Sequence, residues 1–391
     1  MSDAPTTGVL QDDAMDTVAA PLDAPQFLLR APRRSLAAQG CRARLPAGTT
    51  ATFAERVARF FAGARPGPAL LVGALPFDPD ADDALFQPDT LTDTLPAAPG
   101  VAPATVADLR AEPSPAAYVQ AVADAVTVLR SPGATLHKVV LARSLRVTSL
   151  QPVAPTALAA RLGQDPNVAT YVVPLPDAGA EPAWLVGATP ELLVSRRGPL
   201  VYSHPLAGSA RRCADPAEDA RAADALLAST KDHDEHRHVV EAIVAALAPV
   251  CEHVEAAARP SLHATASMWH LGTRIQARLK DPSTTVAALV ARLHPTPAVC
   301  GTPQRLALDT IRSLEPVPRG FYAGAVGWTD AQGDGDWYVA IRCARVQGKQ
   351  VRLYAGAGVV AGSDPAAELA ETAAKFTALL TALGASDVPT T

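Results

Sequence analysis

Three apolar runs near the end of the sequence, FYAGAVGWTD (321–330), DWYVAIRCARV (336–346) and QVRLYAGAGVV (350–360), are separated only by AQGDG and QGK. Gaps this short cannot hold a crossover helix, so neighbouring runs must pair antiparallel, as a meander and not as a doubly wound parallel sheet. Further strand candidates are ALLVGAL (69–75), HKVVLARSLRV (137–147), TYVVPL (170–175), AWLVGA (183–188) and LVYSHPLAG (200–208). Helical periodicity covers 116–130, 216–228, 231–248, 303–314 and 365–383. Long antiparallel sheets with interleaved helices give an α+β architecture.

With 48% hydrophobic and 19% charged side chains, the 391 residues can bury a substantial core, and wholesale disorder is excluded. The net charge of −5 speaks against nucleic acid as a partner. The five cysteines (41, 213, 251, 300 and 343) are odd in number and never in a CxxC pair, as expected for reduced thiols in the cytoplasm. No apolar run approaches a membrane span, and the start MSDAPTTGVLQDDAMDT lacks the pattern of an export signal. Residues 1–25 and 385–391 read as tails, the first mobile, flanking one catalytic domain over 26–384. Within it, 26–115 is an opening segment and 116–384 the motif-bearing core; the Pro-rich stretch 79–115 reads as a long connection.

Lysine is rare here. Only Lys138, Lys231, Lys280, Lys349 and Lys375 occur among 34 basic residues, the rest being arginine. An Arg-biased chain keeps lysine most readily where a group must lose its proton, which arginine cannot do. Lys280 and Lys349 lie in turn-like contexts; the other three lie among chemically dense segments. Lys138 interrupts an apolar strand. Lys231 opens KDHDEHRH, in which Asp232 and Glu235 lie one helical turn apart, Glu235 at the edge of the face carrying Val239 and Ile243. An acidic first turn that complements the helix dipole would explain the same residues. The histidines offer no HExxH, and at i, i+2 they diverge, so zinc is disfavoured.

Near the end, Glu368 and Glu371 are again one turn apart, with Lys375 one turn later; a solvated Glu/Lys surface pair is the competing reading. Two helices each offering a pair of carboxylates would supply hard oxygen ligands for Mg²⁺. Glu191 follows a GATP turn and Arg342 sits mid-strand. Gly356 and Gly358 free backbone amides to face an anion, although AGAG alone is a weak signal.

These segments carry a resemblance. KVVLAR, VGATPELL, PLAGSARR, KDHDEH, WHLGT, LHPTPAVCG, GFYAGAVGW, IRCA, YAGAGVV and the final ExxExxxK are similar, in order across about 115–385, to the isochorismate synthases among the chorismate-utilising enzymes. The resemblance implies two large antiparallel sheets packed face to face with helices outside, and Mg²⁺-dependent chemistry on chorismate in one cleft. Lys138 then matches the base that activates water for attack at C2 of the ring, and Glu191 the acid that protonates the departing C4 hydroxyl. Glu235 and Glu371 resemble direct Mg²⁺ ligands, with Asp232 and Glu368 holding metal-bound water. Arg342, Tyr322, Gly356, Gly358 and Lys375 match positions that grip the substrate carboxylates, while Gly208, Ser209, His270 and Ala298 line the ring.

A lysine at position 138 implies water, not ammonia, as nucleophile, so no glutamine amidotransferase subunit is expected. Salicylate synthases also keep that lysine and go on to eliminate pyruvate; they are the alternative. PLAGSARR and HPTPA are worded as in the isochorismate synthases, and small Ser209 and Ala298 imply a roomy pocket. The PLAGSARR form leans towards a siderophore pathway over menaquinone. One departure is Asp234, where the family often has His. Chorismate is the expected partner, and a monomer the expected state.

Overall fold

The computed structural model describes residues 27–63, 66–96, 100, 102–176, 179 and 181–385. The tail expected over 1–25 lies outside them, as does all of 385–391 but Ala385. Strands form a ten-stranded sheet, a nine-stranded sheet and a three-stranded sheet, and all described pairings are antiparallel. The opening segment contributes to both large sheets: Phe27–Arg30 and Leu36–Gln39 join the first, Leu70–Leu75 and Ala84–Gln87 the second. The stretch read as a connection is therefore partly structured, since Val106–Glu112 also pairs with Lys138–Ser149.

The pleat explains the layering. Along Ala169–Leu175, Tyr171 and Val173 point into the core shared by the two large sheets, whereas Val172 turns to the opposite face. That outer face is covered by the helices Pro155–Leu162 and Pro365–Leu383, through Leu158, Phe376 and Leu380. All five expected helices are present, and Phe53–Ala62, Pro155–Leu162 and Val286–Leu293 add to them. Local chemistry fixes their ends. Asp364 caps Pro365–Leu383 by accepting from the Ala367 amide at 2.8 Å, Pro365 occupies the first turn, and Gly384 closes the helix at φ +82°.

Two runs expected as continuous strands are broken, and the breaks matter. In 336–346 the chain pairs in the nine-stranded sheet as Gly335–Val339, then leaves it and joins the ten-stranded sheet as Cys343–Gln347. Arg342 is thus not mid-strand: it stands at the corner with φ +51°, a left-handed conformation that no continuous strand accommodates. The expected meander is consequently two hairpins, one in each large sheet. In 200–208 the run ends at His204; Pro205, which has no amide to donate, separates Leu200–His204 from Leu206–Arg211 in the small sheet.

A second corner faces the first. Ala183–Thr189 belongs to the ten-stranded sheet and Leu192–Arg197 to the nine-stranded one, so the chain changes sheets across Pro190 and Glu191. The two crossing segments pair with each other on both sides of the bend. Gly187 is in register with Cys343, Leu192 with Tyr338, and the bend is tied by Ala188 N–H donating to Arg342 O and Val339 N–H to Glu191 O, both at 3.1 Å.

Candidate active site

A cavity of about 60 Å³ opens at these two corners, and most of the residues singled out in the sequence converge on it. The corners bring Glu191 and Arg342. Leu206–Arg211 and Met268–Gly272 bring Gly208, Ser209 and His270, with Ser209 and His270 directly cross-strand. Ala298 and Tyr322 close one side; Gly356 and Gly358 lie on the long strand Gln350–Val359, and Glu235, Glu371 and Lys375 project from the two acidic helices. Lys138, Asp232 and Glu368 stand behind this lining.

Burial dominates the electrostatics. Glu191 is 2% exposed, and desolvation pushes its carboxyl up to about 8, despite a backbone hydrogen bond from Leu206 and the charges of Lys138, Lys375 and Arg342. It is therefore mostly a neutral acid at neutral pH. Burial lowers the Arg342 guanidinium to about 10, which leaves it charged. Its Nη2 lies 3.3 Å from His270 Nε2, and burial, with Arg342 next, holds the His270 ring well below its usual range and neutral. Tyr322 is buried and stacks on Tyr354 with ring centroids 4.9 Å apart.

Three of the five lysines meet three of the carboxylates. Lys138, fully buried, has Nζ 3.0 Å from Glu235 Oε1; Lys231 Nζ donates to Glu368 Oε1 at 2.7 Å; Lys375 Nζ donates to Glu371 Oε1 at 2.6 Å and to Gly356 O at 2.8 Å. Glu371 also accepts from Ser209 Oγ at 3.1 Å. The surface reading of the Glu368/Glu371 pair fails, for Glu368 is 0% exposed: the side of the helix opposite its apolar stripe is covered where Lys231 meets it. Burial raises the Glu368 carboxyl, with Glu371 adding repulsion. For Glu371 burial also acts upward, but Lys375, Lys231 and Ser209 together outweigh it and the carboxyl is lowered. Asp232 is raised, again by burial.

The glycines make room. A Cβ at Gly358 would run into Glu235 Oε1, one at Gly356 would lie 2.9 Å from Tyr322 Oη, and one at Gly208 2.9 Å from Asp232 Cβ. Gly356 and Gly358 sit within a regular ladder, in register with Ala142 and Val140, so space for these side chains is the role seen directly. Lys375 ties up Glu371 one turn away on the same helix and reaches over to the Gly356 carbonyl beside the cavity.

As for a metal, no three His, Cys, Asp or Glu side chains among the described residues converge on one point, since lysines hold the carboxylates. The donor set nevertheless suits a hard divalent cation. All four candidates are carboxylates, Glu368 and Glu371 repel each other, and Glu368 Oε2 is buried with no donor in bonding geometry. The histidines of KDHDEHRH point apart, His236 to Thr273, His233 to the Leu227 carbonyl and His238 towards Asp234.

One pair had no signal in the sequence. Arg319, 5% exposed, donates to the carbonyls of Val299 and Val140 at 2.7 Å and to Glu315 Oε2 at 2.9 Å, while Glu315 Oε1 accepts from the Ala142 amide at 2.8 Å. Val140 and Val299 both line the cavity. Arg319 thus fixes its floor from beneath.

The isochorismate synthase DhbC of Bacillus subtilis is 50% identical over 258 residues, spanning 65% of each chain. The isochorismate synthase EntC of Escherichia coli K12 is 34% identical over 386 residues, covering 92% of this chain and 95% of its own. The crystal structure of DhbC from Bacillus anthracis superposes with a TM-score of 0.86 at 40% identity, over 92% of this chain and 96% of that one. The protein-family model described as chorismate binding enzyme matches residues 87–384, and the chain belongs to that family.

Proposed function

We propose that the protein is a Mg²⁺-dependent isochorismate synthase, converting chorismate to isochorismate by adding water at C2 of the ring with loss of the C4 hydroxyl. The observation that carries this reading is Glu191, a buried acid held largely protonated beside Arg342 and Lys375 in the family's cleft. Relatives that share most of the chain bear the name isochorismate synthase.

In this reading, Arg342 and Lys375 receive the substrate's carboxylates, and Tyr322, His270, Ser209, Gly208 and Ala298 confine the ring. Lys138 takes a proton from water as the new C2–O bond forms; the ring double bonds shift; the C4–O bond breaks, and Glu191 gives its proton so that the hydroxyl leaves as water. The reverse reaction runs with the two roles exchanged. To act as a base Lys138 must be the free amine. Glu235 Oε1, 3.0 Å away, is the charged partner at its Nζ. Glu235 and Glu371 are the residues that would hold Mg²⁺, with Asp232 and Glu368 around them. When bound, the cation supplies positive charge for the substrate's ring carboxylate. The five cysteines are all unpaired, which supports work in a reducing cytosol, and the lysine at 138 supports an enzyme needing no ammonia-supplying partner.

The test is chromatography of chorismate incubated with the protein and Mg²⁺. A reversible approach to a chorismate and isochorismate mixture is expected; stoichiometric pyruvate with salicylate from the first turnovers would overturn the reading in favour of a salicylate synthase.

A further inference from the structure

Four arginines stand in line across the ten-stranded sheet. Arg110, on a strand that pairs with no other than Lys138–Ser149 among the described residues, is in register with Arg146, Arg146 with Arg352, and Arg352 with Arg345. Direct partners in an antiparallel sheet point to the same face, so four neighbouring strands each present a guanidinium there, over roughly 14 Å at about 4.8 Å per strand. In the same row the next strand carries Leu185, buried in the core between the two large sheets. The row therefore runs from the margin of that core to the edge of the sheet, and it opens to solvent on the way: the side chains of Arg352, Arg146 and Arg110 are 30%, 46% and 65% exposed.

Folding does not call for this arrangement, because like charges directly opposite one another on neighbouring strands weaken a sheet. The chain compensates only in part. Glu112 meets Arg146 at 3.4 Å with one oxygen and Arg352 at 3.0 Å with the other, and Asp108 meets Arg110 at 2.7 Å; Arg345 makes no ion pair among the described residues. Four guanidinium groups thus face two carboxylates, a local excess of positive charge on a chain whose net charge is −5.

The pattern selects a class of partner. A planar guanidinium has five donors, so arginines already holding Glu112 and Asp108 can take a further carboxylate, and Arg345 can take one outright. One pleat along, Thr148, Gln350 and Gln347 form a parallel row of hydrogen-bonding side chains, and Leu150, 54% exposed just past the end of its strand, adds an apolar contact. So small an excess of charge suits a protein segment bearing a few carboxylates. A nucleic acid strand would bring a charge at every nucleotide against Glu112, Asp108 and a chain that is negative as a whole.

We propose that this arginine row docks an acidic segment of a partner protein. None of the four arginines lines the catalytic cavity, and the proposal does not depend on the activity proposed above. The test uses the full chain and a fluorescein-labelled peptide of glutamates, followed by anisotropy at low salt, with a glutamine peptide and a single-stranded oligonucleotide of the same length as comparisons. The glutamate peptide should bind and the glutamine peptide should not. The double variant Arg110→Glu/Arg345→Glu should raise its Kd by about tenfold or more. These substitutions lie at the two ends of the row and spare the contacts of Glu112, so thermal midpoint and turnover should stay as they were. A second double variant, Arg59→Glu/Arg278→Glu, makes the same change in net charge on exposed residues outside that sheet and should bind the peptide as the unaltered protein does. Absence of binding, an equal loss in both double variants, or tighter binding of the oligonucleotide than of the peptide through the same arginines would each overturn the proposal.

Discussion

Lys138 Nζ, fully buried behind the cavity, lies 3.0 Å from Oε1 of Glu235, which lines it, so the proposed base and a proposed metal ligand are one ion pair. Replacing either partner should affect both functions. Lys138→Ala is expected to lower kcat about a thousandfold, with native circular dichroism and chorismate binding retained. Lys138→Arg should be nearly as inactive, because guanidinium stays protonated. Near-normal turnover by Lys138→Arg would remove Lys138 from the mechanism.

As the proposed acid, Glu191 should set the alkaline limb of the pH profile. Burial pushes its carboxyl up to about 8, so its active, protonated form should prevail below that pH and be lost above it. A plot of log(kcat/KM) should bend down above about pH 8, and Glu191→Gln should remove about two to four decades of kcat. An unchanged alkaline limb in the residual activity of Glu191→Gln would assign that limb to another group.

The proposed Mg²⁺ requirement can be tested at the carboxylates. EDTA should abolish turnover and added Mg²⁺ restore it, and Glu371→Gln should raise the Mg²⁺ concentration needed for half-maximal rate by about tenfold or more. Full activity in EDTA would leave the four carboxylates as partners for lysine alone.

Gly358 offers a steric test of the same region. Gly358→Ala places a methyl where Glu235 Oε1 now sits, while the extended backbone at 358 tolerates any residue. The variant should fold, as judged by an unchanged thermal midpoint to within a few degrees, yet lose most of its turnover and require more Mg²⁺.

Arg319 supports the cavity floor and should matter chiefly for stability. Arg319→Ala leaves Glu315 buried without its cation and the Val140 and Val299 carbonyls without donors, at a cost of about 3–5 kcal/mol. Urea titration measures it; a loss under about 1 kcal/mol would contradict the role assigned to the pair.

Motifs with strong local chemistry were legible in the sequence: Lys138 in an apolar strand, paired carboxylates a turn apart, Glu191 after a turn. The antiparallel pairing dictated by AQGDG and QGK was legible too. The change of sheet at Arg342 was not, because YVAIRCA alternates as well as any unbroken strand and only tertiary pairing selects the bend. Glu315 and Arg319 were invisible for a similar reason. Glu315 and Arg319 flank the Pro-rich turn Pro316-Val317-Pro318, and nothing local reports that Val140 and Val299 come to lie above it. The helix Phe53–Ala62 is different, since Phe53, Val57 and Phe60 recur at helical spacing and the signal was there to be read.

The two corners at Glu191 and Arg342 have a mechanical consequence. Hydrogen bonds tie them on both sides of the bend, so this wall cannot open without breaking a ladder that runs through both large sheets. The opposite wall consists of helical side chains joined by lysine–carboxylate contacts, each of which can be exchanged for another partner. If the cavity widens for a substrate, the movement is expected at the helices Thr230–Leu247 and Pro365–Leu383, which meet it through side chains, with Glu191 and Arg342 held on their hydrogen-bonded frame. Amide hydrogen exchange would register the division directly, with Ala188 and Val339 among the slowest sites and the first turns of the two helices slowing only when ligand and cation are both bound.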